Sequence, residues 1–271
     1  MPGLTVIGNL SLDRVDGGAV RPGGCPSFAA LALRMLDGDG TVLTRCAPAD
    51  RPIFDMTLAG LGVPVTVIPA ATTSAFGMHY TGEHRSMTVD AIGDTWTPAE
   101  VTDVAATTLW AHVAPLLRSD FTAETLAALA DGECRVSFDG QGLVRVPQVG
   151  PLTLDADFDP AFLSHLQTLK LAEDEAAVLA AQGLDARAIV RLGVPEVLLT
   201  LGSEGSIVHA EGEERAIPAA WPVLGVQTTG AGDVFMVGYG AARSGGADAF
   251  EAAGRASELV AQMLERRRQE G

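Results

Sequence analysis

Short apolar runs alternate with stretches of helical periodicity along most of the chain. Leu4–Gly8, Thr41–Cys46 and Val63–Ile68 read as strands. Between them, Pro26–Leu36 reads as a helix with an apolar stripe through Phe28, Leu31 and Met35, and Asp50–Leu61 as a second helix. Further strands are predicted at Thr107–Val113, Arg135–Asp139, Leu169–Leu171 and Val197–Leu201, and a hairpin strand at Ser206–His209. Helices are predicted at Thr122–Ala130, capped by Thr122, at Glu173–Gln182, and at Ala231–Arg243 and Asp248–Arg267. Such alternation builds strand–helix units around a mostly parallel sheet.

The stretch Thr72–Thr95 breaks the rhythm. Ser74–Tyr80 and Ser86–Val89 read as strands around a polar turn, Gly82-Glu83-His84-Arg85, with no helix between them. A hairpin set into an α/β frame is either a plain surface feature or a cover over a site. Asp13–Gly24 offers a second piece of such a cover. No repeat, low-complexity tract or linker divides the chain, so one domain over 1–271 is expected, with lid segments near 12–22 and 73–95.

Charge narrows the partners. A formal net charge of −16 repels nucleic acid and anionic membranes, so neither is expected, and an anionic ligand would need local positive potential. Cys25, Cys46 and Cys134 are odd in number and form no Cys-x-x-Cys pair, which argues against a disulfide framework or structural zinc and fits a reducing cytoplasm. No run of 18 apolar residues predicts a membrane span, and the first residues lack a signal-peptide pattern.

The chemistry centres on Thr228-Thr229-Gly230-Ala231-Gly232-Asp233, directly before the helical run that starts at Val234. A helix start presents unpaired N–H groups and the positive end of the dipole, and glycines admit an anion to them. Alone, the same residues read as an Asp-capped helix start. There is no Gly-x-x-x-x-Gly-Lys-Ser/Thr run and no Gly-x-Gly-x-x-Gly after the first strand, so neither a P-loop nor a dinucleotide fold is supported.

With Pro22-Gly23-Gly24 near the N-terminus, this signature resembles the ribokinase family, the PfkB carbohydrate kinases, over nearly the whole chain. The resemblance implies a three-layer α/β/α sandwich with a small β lid. It implies Asp233 as the base that takes the acceptor's hydroxyl proton, and an anion hole at Gly230, Ala231 and Gly232. It places ATP against Thr200, Gly202 and Gly205, with Lys170 beside it and the helix around Ala252–Ser257 walling the adenine. Glu175 matches the family's Mg²⁺-organising glutamate, in an indirect role. Two positions depart from the pattern: Ala172 stands for an Asn, and Gln227 for an Asp.

On the acceptor side the resemblance implies Asp13, Gly23 and Gly24 as hydroxyl-binding elements. Phe28 stands where sugar kinases carry Asn, and Asp139-Gly140-Gln141-Gly142-Leu143-Val144-Arg145 is similar to a segment of the myo-inositol kinase branch. That branch would use Gln141 on the acceptor's hydroxyls and Arg145 on the transferring phosphate. As bare residues, Asp13 reads equally as a loop carboxylate, Glu175 as a solvated helix residue, and Arg145 as half of a surface ion pair. The expectation is an ATP- and Mg²⁺-dependent kinase of a small cyclitol or sugar, with myo-inositol the leading acceptor. A sugar or nucleoside kinase of the same fold is the alternative. A catalytically silent sugar-binding protein is the reading that Ala172 and Gln227 would motivate. Monomer and homodimer are both open.

Overall fold

In the computed structural model of the chain, residues 3–35, 40–60, 62–81 and 84–270 are described. The strands in chain order are β1 (Leu4–Asn9), β2 (Ser11–Val15), β3 (Val20–Gly23), β4 (Gly40–Cys46), β5 (Val65–Pro69), β6 (Ser74–Thr81), β7 (His84–Ala91), β8 (Trp110–Val113), β9 (Arg135–Asp139), β10 (Gly150–Pro151), β11 (Thr168–Ala172), β12 (Glu196–Thr200), β13 (Ser206–Ala210) and β14 (Glu213–Ile217). The helices are α1 (Cys25–Met35), α2 (Arg51–Ala59), α3 (Pro98–Thr107), α4 (Ala123–Ala130), α5 (Gln141–Val144), α6 (Glu173–Ala180), α7 (Ala186–Arg191), α8 (Ala231–Ser244) and α9 (Ala249–Glu270).

Nine strands form the main sheet, in the order β14-β13-β12-β11-β9-β8-β1-β4-β5. It is parallel from β12 to β5, and β13 and β14 add an antiparallel edge. Successive side chains of a strand point to opposite faces, and here each face has its own core. Leu4, Val6, Val42, Trp110 and Leu198 join one buried cluster with α1, α8 and α9. Ile7, Leu43, Ala111, Val136 and Val197 join the other, under α3, α4, α6 and α7. This is the expected three-layer arrangement.

β1 is the point where the chain reverses direction across the sheet: β4 and β5 lie on one side, β8 to β12 on the other. Ligand crevices in such sheets form beyond the carboxyl ends of the strands at that reversal. The second sheet grows from there. It has five strands, β10-β7-β6-β2-β3, with β2 leaving two residues after β1 ends. Phe76 and Val89 of this lid pack on Leu116 and Leu117.

The lid is therefore more than a hairpin: β2–β3 joins β6–β7 through parallel β2–β6 pairing, and β10 adds an edge. Helix α3 was not expected; it begins at Thr97, whose N–H and hydroxyl both donate to the Glu100 carboxylate. It takes Thr107, so the strand expected from Thr107 begins at Trp110. Several expected positions lie outside the described residues: Leu36 and Leu61 at helix ends, Gly82 and Glu83 in the turn, and the side chains of Leu31 and Met35. The three cysteines are free and buried. Among the described residues no helix is long and apolar enough to cross a membrane.

Candidate active site

The turn before α8 is shaped by Gly230, whose φ is 81°. Only glycine adopts this without strain. Space demands glycine as well, since a Cβ there would lie 2.4 Å from Phe28 Cδ1. Within the turn, Ala231 N donates to Thr228 O at 2.9 Å and Val234 N to Gly230 O at 3.0 Å. Ala231, expected to offer a donor to the anion, is thus already bonded. The N–H groups of Gly232 and Asp233 find no protein acceptor among the described residues, and they sit at the positive end of a 14-residue helix.

Asp233 is half-buried at this helix start. Burial first, and then the charge of Asp139, raise its pKa to about 6, against the Cys25 thiol, Lys170 and Arg145, which act in the opposite direction. Cys25 opens α1 and faces this carboxylate; burial and the Asp233 charge push its thiol well above its ordinary value. Neither Cys25 nor Asp139 was singled out as a site residue from the sequence.

Asp139 ends β9 and Lys170 lies on the neighbouring β11, which brings the two together. Lys170 Nζ is 3.3 Å from both Asp139 oxygens, and both residues are buried. The same ammonium lies against the glycine turn, 3.4 Å from where a Cβ of Gly232 would stand. Although burial works against its charge, Asp139, Glu175 and Asp233 hold its pKa above the usual lysine value. Glu175 is buried and accepts from Ala172 N at 2.8 Å; burial raises its pKa, with Lys170 opposing. Among the described residues no group of three or more His, Cys, Asp or Glu is arranged to hold a metal ion.

Asp13 and Gly23, expected on the acceptor side, lie in the lid strands β2 and β3, and Gly24 directly before α1. Ser11 Oγ donates to Asp13 Oδ1 at 2.7 Å, and Ser11 pairs with Gly23 in the β2–β3 register. A Cβ at Gly23 would stand 2.1 Å from Asp13 Oδ2, and Gly24, at φ 86°, passes close over Asn9 O. Burial raises the Asp13 pKa, while Arg145 opposes the shift. Arg145 follows α5 and acts on Asp13, Glu175 and Asp233 alike, yet makes no ion pair within 4 Å among the described residues. Its charge therefore lies close to all three of these carboxylates. Gln141 is more constrained than expected: its Nε2 donates to Pro115 O at 2.5 Å, which leaves its Oε1 as the acceptor it can offer.

On the far side of the turn lies a cavity of about 270 Å³. Thr200, Gly202 and Gly205 line it, with Thr200 Oγ1 bonded to Leu171 O at 3.2 Å. Its wall is apolar, with Trp221, Leu224, Phe235, Val260, Ala261 and Leu264. Ala252, expected at this wall, is fully buried in the core; the wall comes from Ser257 and the two turns after it. The segment Ala219–Leu224 was not anticipated here.

Residues 148–269 match the family model of the pfkB family carbohydrate kinases. That segment carries the pattern of the pfkB family carbohydrate kinases. No curated protein sequence matches it. Its fold is similar to that of a pyrophosphate-dependent kinase in the ribokinase family, solved with a pyrophosphate analog and myo-inositol: TM-score 0.83, 22% identity, covering 97% of this chain and 95% of that one. Ribokinase from Thermotoga maritima aligns with TM-score 0.71 and 18% identity over 98% of this chain and 100% of that one. A Burkholderia thailandensis nucleoside kinase bound to inosine gives 0.74 and 19% over 97% and 91%.

The matched segment holds the glycine turn before α8, Lys170, Glu175 and the Thr200–Gly205 strand end. Asp13, Gly23, Gly24, Phe28, Gln141 and Arg145 lie before it, so the acceptor half rests on the geometry alone.

Proposed function

We propose that the kinase transfers a phosphoryl group from ATP to a hydroxyl of a cyclitol, myo-inositol, with Asp233 as the base. The observation that carries this reading is the position of Asp233 at the start of α8, within reach of the Arg145 charge that also acts on Asp13, while the neighbouring Gly232 lines the apolar cavity. An acceptor alcohol would sit against a carboxylate with pKa about 6, ionised at neutral pH yet able to take a proton as the phosphoryl group arrives. The Gly232 and Asp233 N–H groups and Arg145 face the charge that gathers on the transferred group, and Lys170 adds positive charge behind the turn. Asp13 and Gln141 Oε1 provide acceptors for a neutral polyol's hydroxyls, and the lid would exclude water that could otherwise take the phosphate.

The donor assignment rests on the cavity. Its apolar wall beside the phosphate turn suits a nucleobase and offers nothing to pyrophosphate. Pyrophosphate is the second reading, favoured by the likeness to the pyrophosphate-dependent myo-inositol kinase fold. Mg²⁺ would ride on the donor's phosphate oxygens and water, where it would neutralise charge, with Asp139 and Glu175 reaching it through water. A matrix of donors (ATP, pyrophosphate) against acceptors (myo-inositol, other polyols, sugars, nucleosides), read by mass spectrometry of the phosphorylated product, tests both halves. Product from myo-inositol and ATP supports the proposal. Product only with pyrophosphate overturns the donor, and product only from a sugar or nucleoside overturns the acceptor.

A further inference from the structure

We propose that Arg267, near the end of α9, is a positioning residue for phosphoryl transfer: a tethered cation that holds the backbone entering the glycine turn. Its Nη1 donates to two carbonyl oxygens, Gln227 O at 3.0 Å and Thr229 O at 2.7 Å. The carbonyl between them, Thr228 O, faces the other way and accepts from Ala231 N. Three successive peptide units are therefore fixed, two by the guanidinium and one by the turn itself. A peptide unit is rigid, so holding Thr229 O also orients the N–H of Gly230. Gly230 is the next rotatable residue and has glycine's freedom, so without the clamp the turn could swing about it. Such a swing would carry the Gly232 and Asp233 N–H groups, and the Asp233 carboxylate, away from the reacting atoms.

The clamp belongs to a larger stripe on one helix. Val260, Leu264 and Arg267 stand at i, i+4 and i+7 on α9, one face of the helix. Val260 and Leu264 line the donor cavity. One turn earlier, Ser257 Oγ accepts from Ala220 N at 3.0 Å and donates to Pro218 O at 3.3 Å, holding the segment that forms the opposite wall. Helix α9 is anchored against α8 by close approach, for a Cβ on Gly238 would lie 3.1 Å from Ala256 Cα. One face of α9 thus sets both the width of the donor cavity and the pose of the catalytic turn. Arg267 lies behind the turn and acts through it.

The functional consequence rests on the kinase reading; the clamp itself does not. The test compares wild type with R267M, which keeps an unbranched apolar stem, with R267K, and with R268A, whose arginine pairs with Glu265 on the helix surface. R267M is expected to lower kcat about 10- to 100-fold, the scale of a misplacement of about 1 Å, with acceptor KM and melting temperature near wild type. R267K and R268A should retain more activity than R267M, and guanidinium ion below denaturing concentration should restore part of the R267M kcat. Wild-type kcat in R267M overturns the inference, as does a loss that tracks unfolding and resists guanidinium. Absence of transfer by wild type with any donor sinks the kinase reading instead. Amide hydrogen exchange over residues 228–233 then still decides on the clamp: faster exchange in R267M supports it, and unchanged exchange overturns it.

Discussion

Replacing Gly230 by alanine loads the turn before α8 in two separable ways. The residue sits at φ 81°, where an L side chain costs about 1–2 kcal/mol. The added Cβ would lie 2.4, 2.6 and 3.0 Å from Phe28 Cδ1, Cγ and Cε1. Ordinary contact begins near 3.4 Å, so the ring or the turn must yield by about 1 Å, and overpacking of this kind costs about 1–3 kcal/mol. Together the two effects come to roughly 2–5 kcal/mol, a fall in melting temperature on the order of 10 °C. If the turn is what moves, kcat should drop about 100-fold, because the N–H donors and Asp233 move with it. Steady-state transfer at saturating substrates, alongside a thermal melt, measures both effects. Adding Phe28→Ala to Gly230→Ala removes the clash and leaves the backbone strain, so the double variant should turn over faster than the single one. A folded Gly230→Ala protein with kcat within twofold of wild type would refute the reasoning.

Burial and Asp139 hold the Asp233 pKa at about 6, so kcat/KM should fall as pH drops through 6 and the base takes a proton. Asp139→Asn removes a like charge and frees Lys170, both of which lower the Asp233 pKa, so that acid limb should move to lower pH; an unmoved limb would contradict the assignment. Asp120 is fully buried, and burial raises its pKa to about 7, so its contribution to stability is present below its ordinary value of 3.8 and is lost as pH rises to 7. That span corresponds to at most roughly 4 kcal/mol, and Asp120→Asn should flatten the decline in melting temperature between pH 4 and 8. Ala261→Trp places a large ring in the donor cavity and should raise the KM for ATP at least about tenfold, the effect of losing roughly 1.4 kcal/mol of binding. The same variant should leave any pyrophosphate-dependent turnover unchanged, so a parallel loss with both donors would show that the cavity does not hold the base.

Much of the frame was legible because its elements carry strong periodic signals. Arg135–Asp139 is a strand with the bounds its apolar run predicts, and Thr122 caps α4 as its position suggests, accepting from Thr125 N. Helix α3 was missed because only Val101 and Val104 along it are buried, although Thr97-Pro98-Ala99-Glu100 carried a legible start signal. Strand β14 is an exposed edge rich in charge, and β10 is two residues long, so neither has an alternation to read. At the site, the turn was visible because glycines and an Asp before a helical run mark a helix start locally, whereas the base role of Asp233 was implied only by the family resemblance. The pairing of Asp139 with Lys170, the approach of Cys25 to Asp233 and the reach of Arg267 were not visible. Each depends on strands or helices that only the folded sheet brings together. The cavity wall at 219–224 is irregular, and no period marks it.

The central claim is that Asp233 takes the acceptor's proton. Asp233→Asn keeps the side chain's size and the N–H groups of the turn while removing the base. With donor and acceptor saturating, the variant should lose about 10²- to 10⁴-fold in kcat while donor binding, measured by calorimetry, stays near wild type. A variant that keeps kcat within tenfold of wild type and binds donor normally would contradict the account.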